Sequence, residues 1–127
     1  MQQYLEQEAL IRRYFAMWLQ NDGSTLGDVF CEDATYSECY GPEYHGLAQI
    51  RRWFADWNQR GKVQRWDIRQ IVCTPQLAVA EWFFECNYDG ETQAFNGVSL
   101  ITFGAGGKIS TLKEFESKAR HDYPYGQ

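Results

Sequence analysis

No long apolar run, no basic run and no clustered cysteine pair occurs in these 127 residues, and each absence removes a class of function. A membrane-spanning helix needs about 18 or more consecutive apolar residues, and nothing here approaches that length. Nucleic acid is held by dense Lys and Arg, yet the net charge is −5 and no basic run of five or more occurs. The opening segment Met1-Gln2-Gln3-Tyr4-Leu5-Glu6-Gln7-Glu8 is acidic and amphipathic, unlike a secretory signal. These absences predict one cytoplasmic domain over residues 1–127, with neither membrane nor nucleic acid as partner.

The four cysteines, Cys31, Cys39, Cys73 and Cys86, form no C-x-x-C pair, and only His45 and His121 add imidazoles. A structural zinc site shows tighter spacing, so the thiols read as free groups in or near a core. A cytoplasmic setting also disfavours a disulfide. No glycine-rich phosphate loop stands between a strand and a helix, so no nucleotide or flavin is expected. The expected cofactor list is empty, metals included.

What the chain does have is aromatic side chains, 17% of it, with five Trp, eight Tyr and eight Phe. That exceeds what a small core requires and suggests a lined cavity or an adhesive interface.

Residues 3–20 read as a helix with one apolar stripe of Ile11, Phe15, Trp18 and Leu19 and a second of Leu10, Tyr14 and Met17. Asn21-Asp22-Gly23 ends it. Ser24 or Thr25 caps a short second helix running to Phe30. Ala34 to Tyr40 alternates as a strand, with Ala34, Tyr36, Glu38 and Tyr40 on one side. Gly41-Pro42-Glu43 reads as a turn. A third helix spans 47–60, with Gly61 as its stop. From Lys62 the period changes to two. Strands are expected at Lys62–Cys73, Leu77–Tyr88, Thr92–Phe103 and Lys108–Ser117, with Asp89-Gly90 as a hairpin turn. Helices followed by a strand meander make an α+β order. A curved antiparallel sheet wrapped around three N-terminal helices, leaving a cone between them, fits this order.

Three stretches carry a family resemblance. They are Asp28-Val29-Phe30-Cys31-Glu32-Asp33-Ala34-Thr35; Tyr44-His45-Gly46 leading into Ile50-Arg51-Arg52-Trp53-Phe54; and Asn96-Gly97-Val98-Ser99-Leu100-Ile101-Thr102-Phe103 followed by Gly107-Lys108-Ile109. In these the chain resembles the NTF2-like superfamily, the cone-shaped α+β fold of the SnoaL-like polyketide cyclases and ketosteroid isomerase. The fold hosts many activities, so the resemblance speaks to fold more than to function. The spacing is nearest to ketosteroid isomerase, which uses a carboxylate base, a tyrosine donor and a protonated acid. The resemblance implies Glu38 as base and Tyr14 as donor. Ser99 stands at the strand position of the neutral acid, a weaker donor in its place.

Several further residues are candidates for the cavity. Trp82, Phe84, Cys86 and Tyr88 alternate with Glu81, Phe83, Glu85 and Asn87, and the carboxylates turn the second set outward. Phe83 is then exposed unless a second chain covers it, which predicts a homodimer through the outer sheet face. Trp18, Tyr36, Trp53, Trp57 and Trp66, with Trp82 and Phe84, read either as core or as walls for a flat apolar ligand. Glu114 is a second acid–base group if its side of the last strand faces the cavity, and otherwise a solvated rim residue. His45 is either a proton shuttle near the mouth or merely exposed. Three functions compete. The first is proton transfer on a small hydrophobic ketone, by isomerisation, cyclisation or dehydration. The second is a non-catalytic dimeric module that binds an apolar ligand. The third is an assembly or transport role on the sheet surface.

Overall fold

The computed structural model describes residues 2–126. The chain runs α1 (Gln2–Gln20), α2 (Leu26–Val29), β1 (Phe30–Ser37), β2 (Glu43–His45), α3 (Leu47–Arg60), β3 (Gly61–Cys73), β4 (Leu77–Tyr88), β5 (Glu91–Phe103) and β6 (Ile109–Lys118). The six strands make one sheet in the order β2-β1-β6-β5-β4-β3. Helices on one face of a curved mixed sheet form the expected α+β cone. No helix among the described residues is long and apolar enough to cross a membrane.

Local chemistry explains the boundaries. Asn21 takes the left-handed conformation (φ 53°). Its N–H donates to the Trp18 carbonyl and the Asp22 N–H to the Met17 carbonyl, a paired C-cap that ends α1. Asp89 and Gly90 both have positive φ, as the tight β4–β5 hairpin requires. Gly61 ends α3 for a different reason from the one expected. Its φ is −131°, which any residue adopts. A Cβ there would lie 2.6 Å from the Tyr88 ring and 2.9 Å from Trp57, so close approach demands glycine.

The sheet departs from a plain antiparallel meander in two places. The β1–β6 ladder is parallel, with Tyr36 opposite Leu112, because β6 inserts between β5 and β1. The segment expected to be only a turn also contains β2, paired with β1 so that Tyr36 faces Tyr44. The curvature comes from bulges in β3, between Val63 and Arg65 and between Ile68 and Gln70. Each adds a residue, so Val63, Trp66, Ile68, Ile71 and Cys73 all turn inward despite their uneven spacing.

The core lies between α1, α2, α3 and the concave face. Ile11, Tyr14, Phe15, Met17 and Trp18 of α1 are buried, with Val29, Phe30 and Ile101. The α1 stripe differs from expectation at its ends, since Leu19 is exposed and Gln7 is buried. Phe83 is not the exposed residue the alternation predicts. It is half-buried, with the Arg65 guanidinium 4.8 Å from its ring centre. On the outer face the exposed apolar side chains include Phe115 and Val72. All four cysteines are free thiols.

Gly97 ties the fold to the cavity. A Cβ there would lie 2.4 Å from the Trp82 ring and 2.5 Å from the Phe115 carbonyl oxygen. Gly97→Ala is expected to destabilise the protein by about 1–3 kcal/mol through overpacking. Urea unfolding checks this, and an unchanged midpoint would show that Trp82 is not held there.

Candidate active site

The strand ladders bring four polar side chains to one end of the concave face. Tyr36 points inward from β1. Its partner across β2 is Tyr44 and its partner across β6 is Leu112. Residues opposite one another in a ladder share a face, and so do residues two apart in a strand. Glu114, two beyond Leu112, therefore faces Tyr36. Glu38 lies just past the end of β1, where its N–H donates to the Pro42 carbonyl and folds the chain back towards Tyr44.

Two carboxyl–phenol pairs result. The Tyr36 hydroxyl donates to Glu114 Oε2 at 2.5 Å, and the Tyr44 hydroxyl donates to Glu38 Oε1 at 2.6 Å. Both carboxyls border a cavity of about 30 Å³, walled also by Trp18, Tyr36, Tyr40, Trp53, Trp57, Trp66, Trp82, Phe84 and Phe95. That volume has room for one or two waters, or for the reacting end of a small molecule, but not for a fused ring system. Outside it lies a vestibule of about 440 Å³ that shares the walls Glu38, Tyr40, Trp53 and Trp57. Asp56, Arg60, Tyr44, Tyr88 and Gln93 line the rest of its mouth, together with Pro42 and Cys86.

Electrostatics separates the two acids. Burial pushes Glu114 up to about 8, against the pull of the Tyr36 hydrogen bond and helped by the nearby Glu38 charge. Glu38 is also raised by burial, while the Tyr44 hydrogen bond holds it down. No Lys, Arg or His lines the inner cavity, so neither acid has a cation partner there. Burying such a charge alone is expensive, and retaining the proton relieves it.

The residues singled out in the sequence divide into three groups. Glu38, Glu114, Tyr36, Trp18, Trp53, Trp57, Trp66, Trp82 and Phe84 all line the cavity. Tyr14 does not. It is fully buried behind the wall, T-shaped against Tyr36 at 5.9 Å. Its hydroxyl lies near the Tyr36 hydroxyl and the Trp18 indole without making a well-formed hydrogen bond to either. Burial, and next the Glu114 charge, hold that phenol well above its ordinary range. Ser99 is fully buried beneath the wall and accepts a hydrogen bond from Trp82 Nε1 at 3.0 Å. His45 is exposed, with its Nε2 2.7 Å from a Glu43 carboxylate oxygen, and is not a cavity residue.

Sequence reasoning passed over Tyr44 as a site residue. The available signal was the Gly41-Pro42 turn, which folds Tyr44 back against the Glu38 strand. It also left open whether Glu114 was a rim group, whereas that side of β6 turns inward.

A curved mixed sheet closed over three helices, with a lined cavity at its open end, defines an NTF2-like α+β cone. Within that class the chain belongs to the SnoaL-like domain family, whose model matches residues 11–112. No functionally curated protein matches the sequence. Solved structures share the fold. An NTF-2 like protein of unknown function from Burkholderia xenovorans LB400 is 16% identical, with TM-score 0.78, over 98% of this chain and 93% of its own. A hypothetical protein of ketosteroid isomerase-like fold from Catenulispora acidiphila DSM 44928, in complex with trimethylamine, is 19% identical. Its TM-score is 0.75, over 87% of this chain and 85% of its own. A candidate SnoaL-like polyketide cyclase from Shewanella denitrificans OS-217 is 15% identical, with TM-score 0.76, over 87% and 90%.

The Tyr44 hydrogen bond stabilises the ionised form of Glu38. Tyr44→Phe is therefore expected to raise the Glu38 pKa further. Carboxyl carbon-13 NMR titration measures it, and an unchanged or lowered value would remove Tyr44 from the site's electrostatics.

Proposed function

We propose that the protein is a cofactor-independent proton-transfer enzyme acting on a small hydrophobic carbonyl compound. One observation carries the reading: two carboxyl groups, each bonded by a tyrosine and raised by burial, border one small aromatic cavity. The roles follow from their difference. Glu38 stands at the junction with the vestibule, and the Tyr44 hydrogen bond favours its ionised form, which suits a base. Glu114, at about 8, keeps its proton at neutral pH and can donate a hydrogen bond.

In the proposed step, Glu38 removes a proton from the carbon next to the substrate carbonyl. The carbon–hydrogen electron pair moves into a new carbon–carbon double bond. The carbonyl oxygen gains negative charge, and the Glu114 O–H bonds to it. Return of the proton from Glu38 to a different carbon completes an isomerisation. Tyr14 and Ser99 act here as positioning residues, Tyr14 behind Tyr36 and Ser99 behind Trp82. A small substrate suits the volume of the cavity. It is also in keeping with the size of the trimethylamine held by the Catenulispora neighbour.

The test is the ultraviolet assay for conversion of 3-cyclohexen-1-one to its conjugated isomer. Glu38→Gln is expected to lower kcat/KM by about 10²–10⁴-fold, the usual share of a general base. The wild-type profile should fall in acid as Glu38 gains its proton and in alkali near pH 8 as Glu114 loses its own. Glu114→Gln should abolish the alkaline limb, since an amide does not ionise. Undiminished turnover in Glu38→Gln would overturn the assignment. Absent turnover with ligand binding retained would favour the binding module.

We also propose that the chain works in the cytoplasm, where free thiols persist, as a dimer packed through the outer sheet face. The exposed ring of Phe115 replaces Phe83 as the anchor of that idea. Phe115→Glu should shift sedimentation from dimer to monomer, and an unchanged mass would remove this interface.

A further inference from the structure

We propose that the junction of cavity and vestibule binds small alkylammonium cations, held between the Glu38 and Glu114 carboxylates and the faces of Trp53, Trp57 and Tyr40. The inference rests on this cavity being the ligand site, but not on its being catalytic.

Three observations converge on that chemistry. The first is charge. Glu38 and Glu114 border the two connected spaces, Asp56 at the vestibule rim lies 3.9 Å from the Arg52 Nε, and Arg60 is the one basic side chain among their walls. Arg60 is exposed at the outer rim and already engaged, with Nε 3.0 Å and Nη2 2.5 Å from the Asp89 carboxylate. Once both acids are ionised the field at the junction is negative and favours a cation over an anion.

The second is the walls. Trp53 is stacked on Tyr44 at 4.7 Å, which covers one of its faces, and Trp18 and Trp57 meet T-shaped at 5.4 Å. These contacts fix the indoles that border the junction. The electron-rich face of an indole attracts a cation, most strongly where water is excluded. The third is shape. An alkylated ammonium spreads its charge over carbon and sheds water readily. A compact metal ion would have to lose its hydration to apolar walls. Of the four walls that the two spaces share, Tyr40, Trp53 and Trp57 give the alkyl groups surface to cover, while the charge meets Glu38 at the junction and looks toward Glu114 on the inner side.

Proton and cation then compete for the same acids. The titratable groups within electrostatic reach of Glu114 are Tyr36 from β1, Glu38, Cys39 and Tyr40 from the segment after β1, Tyr14 from α1 and Tyr44 from β2. None of these supplies a positive charge. Because burial holds Glu114 up at about 8, cation binding below that pH displaces a proton, and affinity rises with pH until the acid is ionised.

The experiment is a titration of the whole protein with tetramethylammonium chloride between pH 6 and pH 9. It is followed by tryptophan fluorescence against sodium chloride at equal ionic strength, with tert-butanol as the uncharged analogue. Affinity for the cation should rise about tenfold per pH unit below pH 8 and then level, as for one displaced proton. At pH 9 tert-butanol should bind at least about tenfold more weakly, since it lacks the cation–aromatic and carboxylate attractions. Glu114→Gln, checked for folding by near-ultraviolet circular dichroism, should flatten the pH dependence. Equal binding of the cation and tert-butanol, or pH-independent cation binding, would overturn the proposal. Cation binding without isomerase turnover would sink the reaction proposed above and leave this site standing. Turnover without cation binding would do the reverse.

Discussion

Two carboxyl groups surrounded by indole and phenol rings, with no basic side chain beside them in the cavity, set the terms for everything else in this molecule. An ionised carboxylate in such a place is opposed by several kcal/mol of lost hydration. The chain meets that opposition with hydroxyls in place of cations. Tyr36 serves Glu114 and Tyr44 serves Glu38. A hydroxyl lowers an acid's pKa less than an adjacent ammonium does, so burial still wins at both sites. The folded chain consequently holds these protons more tightly than an unfolded chain would. Proton affinity of that kind is a burden on the fold and the property on which the proposed reaction depends.

The ladders explain how three of the four polar groups meet, with only Glu38 carried on the turn after β1. β6 enters the sheet between β5 and β1, and its parallel pairing with β1 sets Leu112 beside Tyr36. That single register decides that Glu114 turns towards the phenol. The β1–β2 hairpin decides the second pair in the same way, through Tyr36 opposite Tyr44. The bulges of β3 then swing Trp66 under the site, where Phe15 stacks on it at 3.8 Å. The aromatic walls come from helices and from the far strands; the acids and phenols come from the β2–β1–β6 end. Each half is ordinary strand and helix chemistry, and the cavity exists only where they face one another.

The elements that the sequence made legible are those with local signals. Leu47 to Arg60 reads as a helix because its apolar positions recur at helical spacing. The Asp89-Gly90 hairpin reads directly from its turn chemistry. The inward set Trp82, Phe84 and Cys86 follows from alternation against Glu81 and Glu85. What escaped was long-range. Nothing local announces that β6 runs parallel to β1, so Glu114 stayed undecided between cavity and rim. Alternation marked Phe83 as bare, because it does not see Arg65 arching over the ring from the neighbouring strand. The pairing of Tyr14 with Glu38 came from resemblance alone. Tyr14 instead packs against Tyr36, one layer behind the cavity.

The departure at Ser99 has a geometric resolution. In the resemblance, a strand position held here by Ser99 carries a neutral acid. The β5–β6 ladder puts Ser99 directly opposite Glu114. Opposed residues on one face of an antiparallel pair bring their Cβ atoms within about 4.5–5.5 Å. An acid moved from one to the other crosses a single ladder rung and serves nearly the same point in space. A serine at 99 then makes sense in its own right. A second carboxyl there would crowd Glu114 in a site with no cation, whereas a small hydroxyl leaves room and accepts the Trp82 indole N–H. The ladder thus brings a serine and an acid that stand fifteen residues apart in the sequence to adjacent places on one face of the sheet.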